Sequence, residues 1–152
     1  MILIDANILI YATNRDAANH KQAVAWLEEV FATGETIGFS WSVLMAYLRL
    51  TTKPGLFTHP ASIDQALGIV ANWLAQPSAR VVHPGSKHFE ILTSLLKTTG
   101  SGGNLTSDAH LAAIALEHSA ELCSLDHDFG RFSGLRWRNL SSMVRNGPPV
   151  MV

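Results

Sequence analysis

The chain has 152 residues, 47% of them apolar and 15% charged, with a net charge of -1. That length and apolar content fit one globular domain over residues 1–152 with a single core, and they exclude a disordered chain. The near-neutral balance excludes nucleic-acid recognition by bulk charge alone, and the lone Cys123 excludes an internal disulfide or a cysteine metal cage.

In chain order, Ile2-Leu3-Ile4 is an all-apolar run ended by Asp5, as expected of a strand buried on both faces. Asp16 to Phe31 has helical period, with Ala23, Trp26, Leu27 and Val30 on one face. Thr36 to Phe39 fits a second strand. Ser40 or Ser42 can cap a helix running to about Leu50, which Pro54-Gly55 closes. Asp64 to Ala75 predicts a third helix with Leu67, Val70, Ala71 and Leu74 inward. Arg80 to Val82 is a strand, and Lys87 to Lys97 a helix carried by Phe89, Ile91, Leu92 and Leu95. Thr98 to Thr106, rich in Gly, Ser and Thr, is a loop. Thr106 or Ser107 caps an alanine-rich helix from about Asp108 to His118. Glu121 to Leu125 is the next strand, and Leu135 to Leu140 an edge strand. No apolar stretch free of charge reaches the ~18 residues of a membrane span, so the cytosol is the expected location.

Strands alternating with helices imply an α/β fold, a central mainly parallel sheet with helices on both faces. Parallel strands share a carboxyl edge, and every crossover helix that returns to the sheet starts there. Asp5 follows the first strand, Asp126 and Asp128 follow a later one, and Asp108 begins the helix leading into that strand. Chain polarity therefore gathers these acids where open α/β sheets bind ligands. Taken singly, each could be a cap or turn residue. Together, carboxylates about 5 Å apart repel by roughly 3 kcal/mol per pair at an effective dielectric of ~20. Such a group takes up protons or a cation, and hard oxygen donors suit Mg²⁺ or Mn²⁺. An ion of that kind activates water and stabilises charge on a phosphate. An aspartyl-phosphate phosphatase would need a second acid two residues after Asp5, where Asn7 stands.

Met1-Ile2-Leu3-Ile4-Asp5-Ala6-Asn7, Asp108-Ala109-His110-Leu111-Ala112-Ala113 and Ser124-Leu125-Asp126-His127-Asp128-Phe129, in this order and spacing, resemble the PIN-domain family, most closely its VapC-type toxin ribonucleases. The resemblance runs from Met1 to about Leu140. It implies a three-layer α/β/α sandwich and a Mg²⁺-dependent endoribonuclease site in which Mn²⁺ can substitute. It also implies an RNA substrate, a VapB-type antitoxin, and a homodimer or a toxin–antitoxin hetero-oligomer. By that resemblance Asp5, Asp108 and Asp126 are catalytic metal ligands, Asp128 an accessory ligand, and Asn7 an orienting residue. The family's second acid, a glutamate on the helix after strand two, is absent from Ser42 to Arg49, and Tyr47 is expected at its place. Its absence leaves an alternative: a PIN-like module that binds RNA or antitoxin with weak or no catalysis.

Arg131, Arg136, Arg138 and Arg145 make the final segment basic, and Arg131 is a candidate RNA contact. Arg49 could face substrate or, the favoured expectation, pair with an acid. His110, His118 and His127 lack zinc spacing and are expected on the surface or in packing roles. Trp26, Trp41 and Trp73 lie on apolar faces, where packing or an interface outranks base stacking. The apolar Trp41 to Leu50 region is a candidate dimer or antitoxin contact.

Overall fold

The structure, a computed structural model, describes residues 1–141. Five strands, β1 (Ile2–Ile4), β2 (Ile37–Ser40), β3 (Ala79–Val82), β4 (Glu121–Ser124) and β5 (Trp137–Asn139), form one sheet in the order β3-β2-β1-β4-β5. Every pairing is parallel. Six helices connect them: α1 (Ala6–Thr13), α2 (His20–Ala32), α3 (Trp41–Thr52), α4 (Ile63–Leu74), α5 (His88–Thr99) and α6 (Leu105–Glu117). A short 3₁₀ turn, His127–Arg131, follows β4. Helices α1 to α4 contact one another in one layer, while α5 and α6 pair with each other. Right-handed crossovers put the two groups on opposite faces, giving the expected three layers. Covered on both sides, β1 and β2 are buried at every residue.

Chain order moves outward from β1 to β2 to β3, then returns to β4 on the other side of β1. The carboxyl ends of β1 and β4 therefore flank the point where the winding reverses. Ile4 pairs with Cys123, and the Asp5 N–H donates to the Cys123 carbonyl at 3.0 Å. That register brings Asp5 out of the sheet beside Ser124.

Local chemistry sets the element ends. The Ser40 side chain caps α3 by accepting from the Ser42 N–H, and Ser62 and Gln65 close a reciprocal capping box on α4. Gly100 ends α5 in the left-handed conformation at φ 65°, which a side chain would resist. Ala109, Ala112, Ala113 and Ala115 of α6 are all fully buried. Their small side chains let α6 sit close to α5, β4 and the 3₁₀ turn at once.

Four expectations need correction. Helix α1 follows Asp5 directly, in a stretch to which the sequence assigned no element. Its run Ile8-Leu9-Ile10-Tyr11 is apolar on every side and so lacks a helical period. On α4 the buried residues are Ala66, Val70 and Trp73, so Leu67 and Ala71 face outward. Burying the large Trp73 ring turned the helix by about one residue from the expected phase. On α5, Phe89 is 78% exposed, because it sits in the first turn where no neighbouring element covers it. Helix α6 also begins a turn earlier than expected, at Leu105, placing Asp108 inside its first turn. Arg145 lies outside the described residues.

An aromatic row ties α3 and α4 to the sheet. Phe31 stacks on Phe39, Phe39 on Trp73, and Tyr47 meets Trp73 edge-on with centroids 4.8 Å apart. Tyr47 is 1% exposed and its hydroxyl donates to Thr13 Oγ1 at 3.2 Å. Tyr47→Phe removes only that hydrogen bond and should cost about 0.5–1.5 kcal/mol. Tyr47→Glu empties the ring's place and buries a carboxyl, and should cost at least about 3–5 kcal/mol. Urea denaturation of both variants measures the difference; equal small losses would contradict the core assignment.

Candidate active site

A cleft of about 570 Å³ opens over the carboxyl edge of the sheet, lined by Asp5 and Ala6 at the start of α1, Ser42, Val43, Met45, Ala46 and Arg49 of α3, and Ser107, Asp108 and Leu111 of α6. Helix α1 starts at Asp5 because its carboxylate caps the helix: Oδ1 accepts from the Ala6 N–H at 2.7 Å. The second oxygen, Oδ2, accepts from Ser124 Oγ at 2.7 Å. Asp126 caps the 3₁₀ turn in the same way, its Oδ1 accepting from the Asp128 N–H at 2.9 Å. These bonds fix both carboxylates on rigid element ends.

Ser124 is the hub. It is fully buried at the end of β4, and its hydroxyl donates to Asp5 while accepting from Asn7 Nδ2 at 3.1 Å and from the Asp126 N–H at 2.9 Å. One donor and two lone pairs are the whole capacity of a hydroxyl. Asn7 completes the link, its Oδ1 accepting from the Leu125 N–H at 3.3 Å. Asn7 thus reaches Asp5 only through Ser124. Sequence reasoning assigned Ser124 no role; the signal was a polar residue ending an apolar strand, two places before an acid.

Asp108, Asp126 and Asp128 can each offer a carboxylate oxygen within 4.8 Å of the others. Asp5 lies at the edge of this trio, its oxygens turned to Ser124 and the helix backbone, yet near enough for its charge to act on Asp108. Burial, then the charges of Asp126, Asp5 and Asp128, push the Asp108 carboxyl from 3.8 up to about 6. Burial also raises Asp5, opposed by the bonds from Ser124 and Ala6, and Asp126 adds to the rise. Among the described residues the ion pairs are Met1 N to Glu35 and Arg138 to Glu121, so no side-chain cation answers these four acids. An all-oxygen, uncompensated trio on fixed element ends fits a hard divalent cation.

Tyr47 does not stand at the cleft. Successive helical residues are turned by about 100°, and Tyr47 shares the core face of α3 with Val43, Leu44 and Thr51. The cleft face carries Ser42, Met45, Ala46 and Arg49 instead. Ala46 immediately precedes the residue expected there, so the wall is small and apolar where an acid was sought. Arg49 lines the cleft without pairing to any of the acids, contrary to the favoured expectation. Arg131 is exposed at the end of the 3₁₀ turn, and Arg138 is taken up by Glu121 at 2.7 Å. The histidines bond elsewhere: His110 to His88, His118 to the His83 carbonyl, and His127 to Asn139.

The family profile described as the PIN domain matches residues 2–135. The chain belongs to the PIN-domain family. Ribonuclease VapC37 of Mycobacterium tuberculosis is 47% identical over 137 residues, covering 90% of this chain and 95% of the relative. Among solved structures, VapBC2 from Rickettsia felis bound to a promoter DNA fragment matches with a TM-score of 0.65 at 21% identity, over 91% of this chain and 98% of the other. Mycobacterium tuberculosis VapC20, described as a sarcin–ricin loop cleaving toxin, matches with a TM-score of 0.64 at 19% identity, over 90% and 99%. At those identities the two structures speak for the fold alone. In this PIN domain the order β3-β2-β1-β4-β5 and the acid-lined cleft are thus seen in one chain.

The raised Asp108 carboxyl has a consequence for stability. It binds its proton more tightly folded than unfolded, so stability falls as pH rises from about 4 to about 6. Asp5 adds in the same direction. In EDTA the protein should melt lower at about pH 7.5 than at about pH 5. Asp108→Asn should flatten that slope and raise the melting temperature at the higher pH by roughly 2–4 °C, the shift about 1 kcal/mol gives a domain of this size. Differential scanning fluorimetry across pH reads it; a slope unchanged in the variant would remove Asp108 as its source.

Proposed function

We propose that this protein is a VapC-type toxin, an endoribonuclease that depends on Mg²⁺, with Mn²⁺ as a working substitute. The observation that carries the metal reading is the trio Asp108, Asp126 and Asp128, within 4.8 Å of one another, with no cationic side chain paired to it among the described residues. The relative named Ribonuclease VapC37, at 47% identity along nearly its whole length, supports the reaction class. Asp108, Asp126 and Asp128 would hold the ion, with Asp5 beside them. When bound, it supplies positive charge at the phosphodiester and eases deprotonation of the attacking water.

The chain's own residues supply the positioning. Ser124 holds Asp5 and the backbone of Asp126 at fixed spacing, so both acids keep their orientation when substrate arrives. Asn7 fixes the Ser124 hydroxyl and the turn at Leu125. Asp126 orders the backbone that carries Asp128. Asp108, its carboxyl pushed up to about 6, readily exchanges its proton for a cation near neutral pH.

The VapBC complexes among the fold neighbours support a VapB-type antitoxin as partner, in a hetero-oligomer or beside a homodimer of this chain. RNA is the substrate, as for the toxin described as cleaving the sarcin–ricin loop, though which RNA this chain cuts is a separate matter. No helix among the described residues is long and apolar enough to cross a membrane, and we place the protein in the cytoplasm. A second reading has one observation in its favour: the α3 wall carries no acid, as a PIN-like module that binds RNA or antitoxin with weak or no catalysis would allow.

Incubation of antitoxin-free protein with total bacterial RNA separates the two. Mg²⁺ or Mn²⁺ should give discrete fragments, and EDTA none. Asp5→Asn and Asp108→Asn should reduce cleavage to background while the proteins stay folded. Ser124→Ala should lose about 10–100-fold in activity or metal affinity, the usual cost of removing a group that orients ligands. RNA bound without product under either metal would favour the binding module.

A further inference from the structure

The cleft has two chemically different walls. On one side stand Asp5 and Asp108, with the rest of the acid group behind them; on the other, α3 presents Ser42, Met45, Ala46 and Arg49. Residues 42, 46 and 49 follow the i, i+4, i+7 spacing of a single helix face. Among the described residues Arg49 is the one cation lining the cleft, and it is exposed. Its guanidinium lies within ion-pair distance of no carboxylate among the described residues, although four acids gather at the same sheet edge. An arginine placed to neutralise those acids would be bonded to one. This one stands across the cleft from them, with its planar fork of donors bonded to no side chain or backbone group among the described residues.

We infer that Arg49 binds a phosphate oxygen of the RNA strand, so that the polyanion is gripped between the arginine on α3 and the ion held on the α6 side. This rests on the ribonuclease reading above. A guanidinium matches two oxygens of one phosphate and is weakly hydrated, so it suits a phosphodiester better than a lysine would. The small side chain of Ala46, one turn nearer the acids, leaves room for the strand between the two walls. The volume of about 570 Å³ is in the range of nucleotide-sized ligands. Arg131, by contrast, is absent from the cleft lining. Among the described residues Arg49 is therefore the basic residue that the site itself supplies, one turn along α3 from Ala46.

Binding of a fluorescently labelled single-stranded RNA of mixed sequence is measured by anisotropy across a salt series, with Ca²⁺ in place of the working ion to slow turnover. Cleavage under Mn²⁺ is followed in parallel. Arg49→Gln should weaken RNA binding about tenfold, as loss of a charged hydrogen bond does. It should also lower the slope of log affinity against log salt by about 0.7, one phosphate contact on a single strand. Arg49→Lys should recover part of the affinity, since charge returns without the fork. Because Arg49 is exposed, both variants should melt as wild type does, and both should bind Mn²⁺ at least as tightly. If wild type binds RNA and cuts it while Arg49→Gln keeps the same affinity and salt slope, the arginine assignment falls alone. If wild type neither binds nor cuts RNA, the ribonuclease reading falls and takes this inference with it.

Discussion

Parallel pairing of β1 with β4 is the interaction on which the cleft depends. Ile2, Leu3 and Ile4 register with Glu121, Leu122 and Cys123, and the next residue on each strand is the first to leave the ladder's core. Asp5 and Ser124 therefore emerge side by side, although they are far apart in sequence. A slip of one residue would exchange the faces of every β1 side chain. Ile2 to Ile4 are buried on both faces, so hydrophobicity alone tolerates such a slip better than an alternating strand would. The Ser124 hydroxyl, satisfied by Asp5, Asn7 and the Asp126 N–H, discriminates against it. A buried polar network here fixes a register that apolar packing leaves loosely specified.

The same network sets up an electrostatic conflict. Asp5 gains two hydrogen bonds that favour its charged form, but burial and Asp126 oppose ionisation. Asp108 accepts no such bond among the described residues, and its carboxyl rises to about 6. The core beneath bears the strain. Leu3, Ile4, Ile8 and Leu9 are fully buried directly under the acids, and the alanine face of α6 anchors Asp108 from the side. Apolar burial of that extent is worth about 1.5–3 kcal/mol per large side chain, the same order as the roughly 3 kcal/mol repulsion of a close carboxylate pair. A cluster of uncompensated charge is thus carried on fully buried core residues.

How much of this could be read from the chain follows from the kind of signal each residue carries. Asp5, Asp108 and Asp126 were legible because strand direction is a strong constraint: once β1 and β4 are parallel, their ends and the start of α6 share an edge. The order of motifs along the chain carried the PIN resemblance for the same reason. Helix α1 was not legible, since Ile8-Leu9-Ile10 is buried too uniformly to show a period. The outward turn of Leu67 and Phe89 was hidden because hydropathy says a residue prefers burial, and only packing says which ones obtain it. Ser124 was passed over because a single serine has many uses. Its role appears only when three partners from two other segments converge on one oxygen.

Helix α3 shows why the phase of one residue decides chemistry. Ala46 and Tyr47 are adjacent in sequence and about 100° apart around the axis. Tyr47 belongs to the aromatic row with Trp73 and Phe39, a structural commitment that no charged side chain could meet. Ala46 and its cleft-side neighbours make no such commitment, being partly or fully exposed. The two faces therefore vary independently: the core face must stay as it is for the domain to fold, while the cleft face is free to carry an acid, an alanine or a cation. An acid there would add another repulsive term of about 3 kcal/mol for each carboxylate within about 5 Å. An alanine there avoids that term, and Arg49 one turn on brings a positive charge to the wall. The absence of an acid from the α3 wall thus lies on the face of that helix that the core does not use.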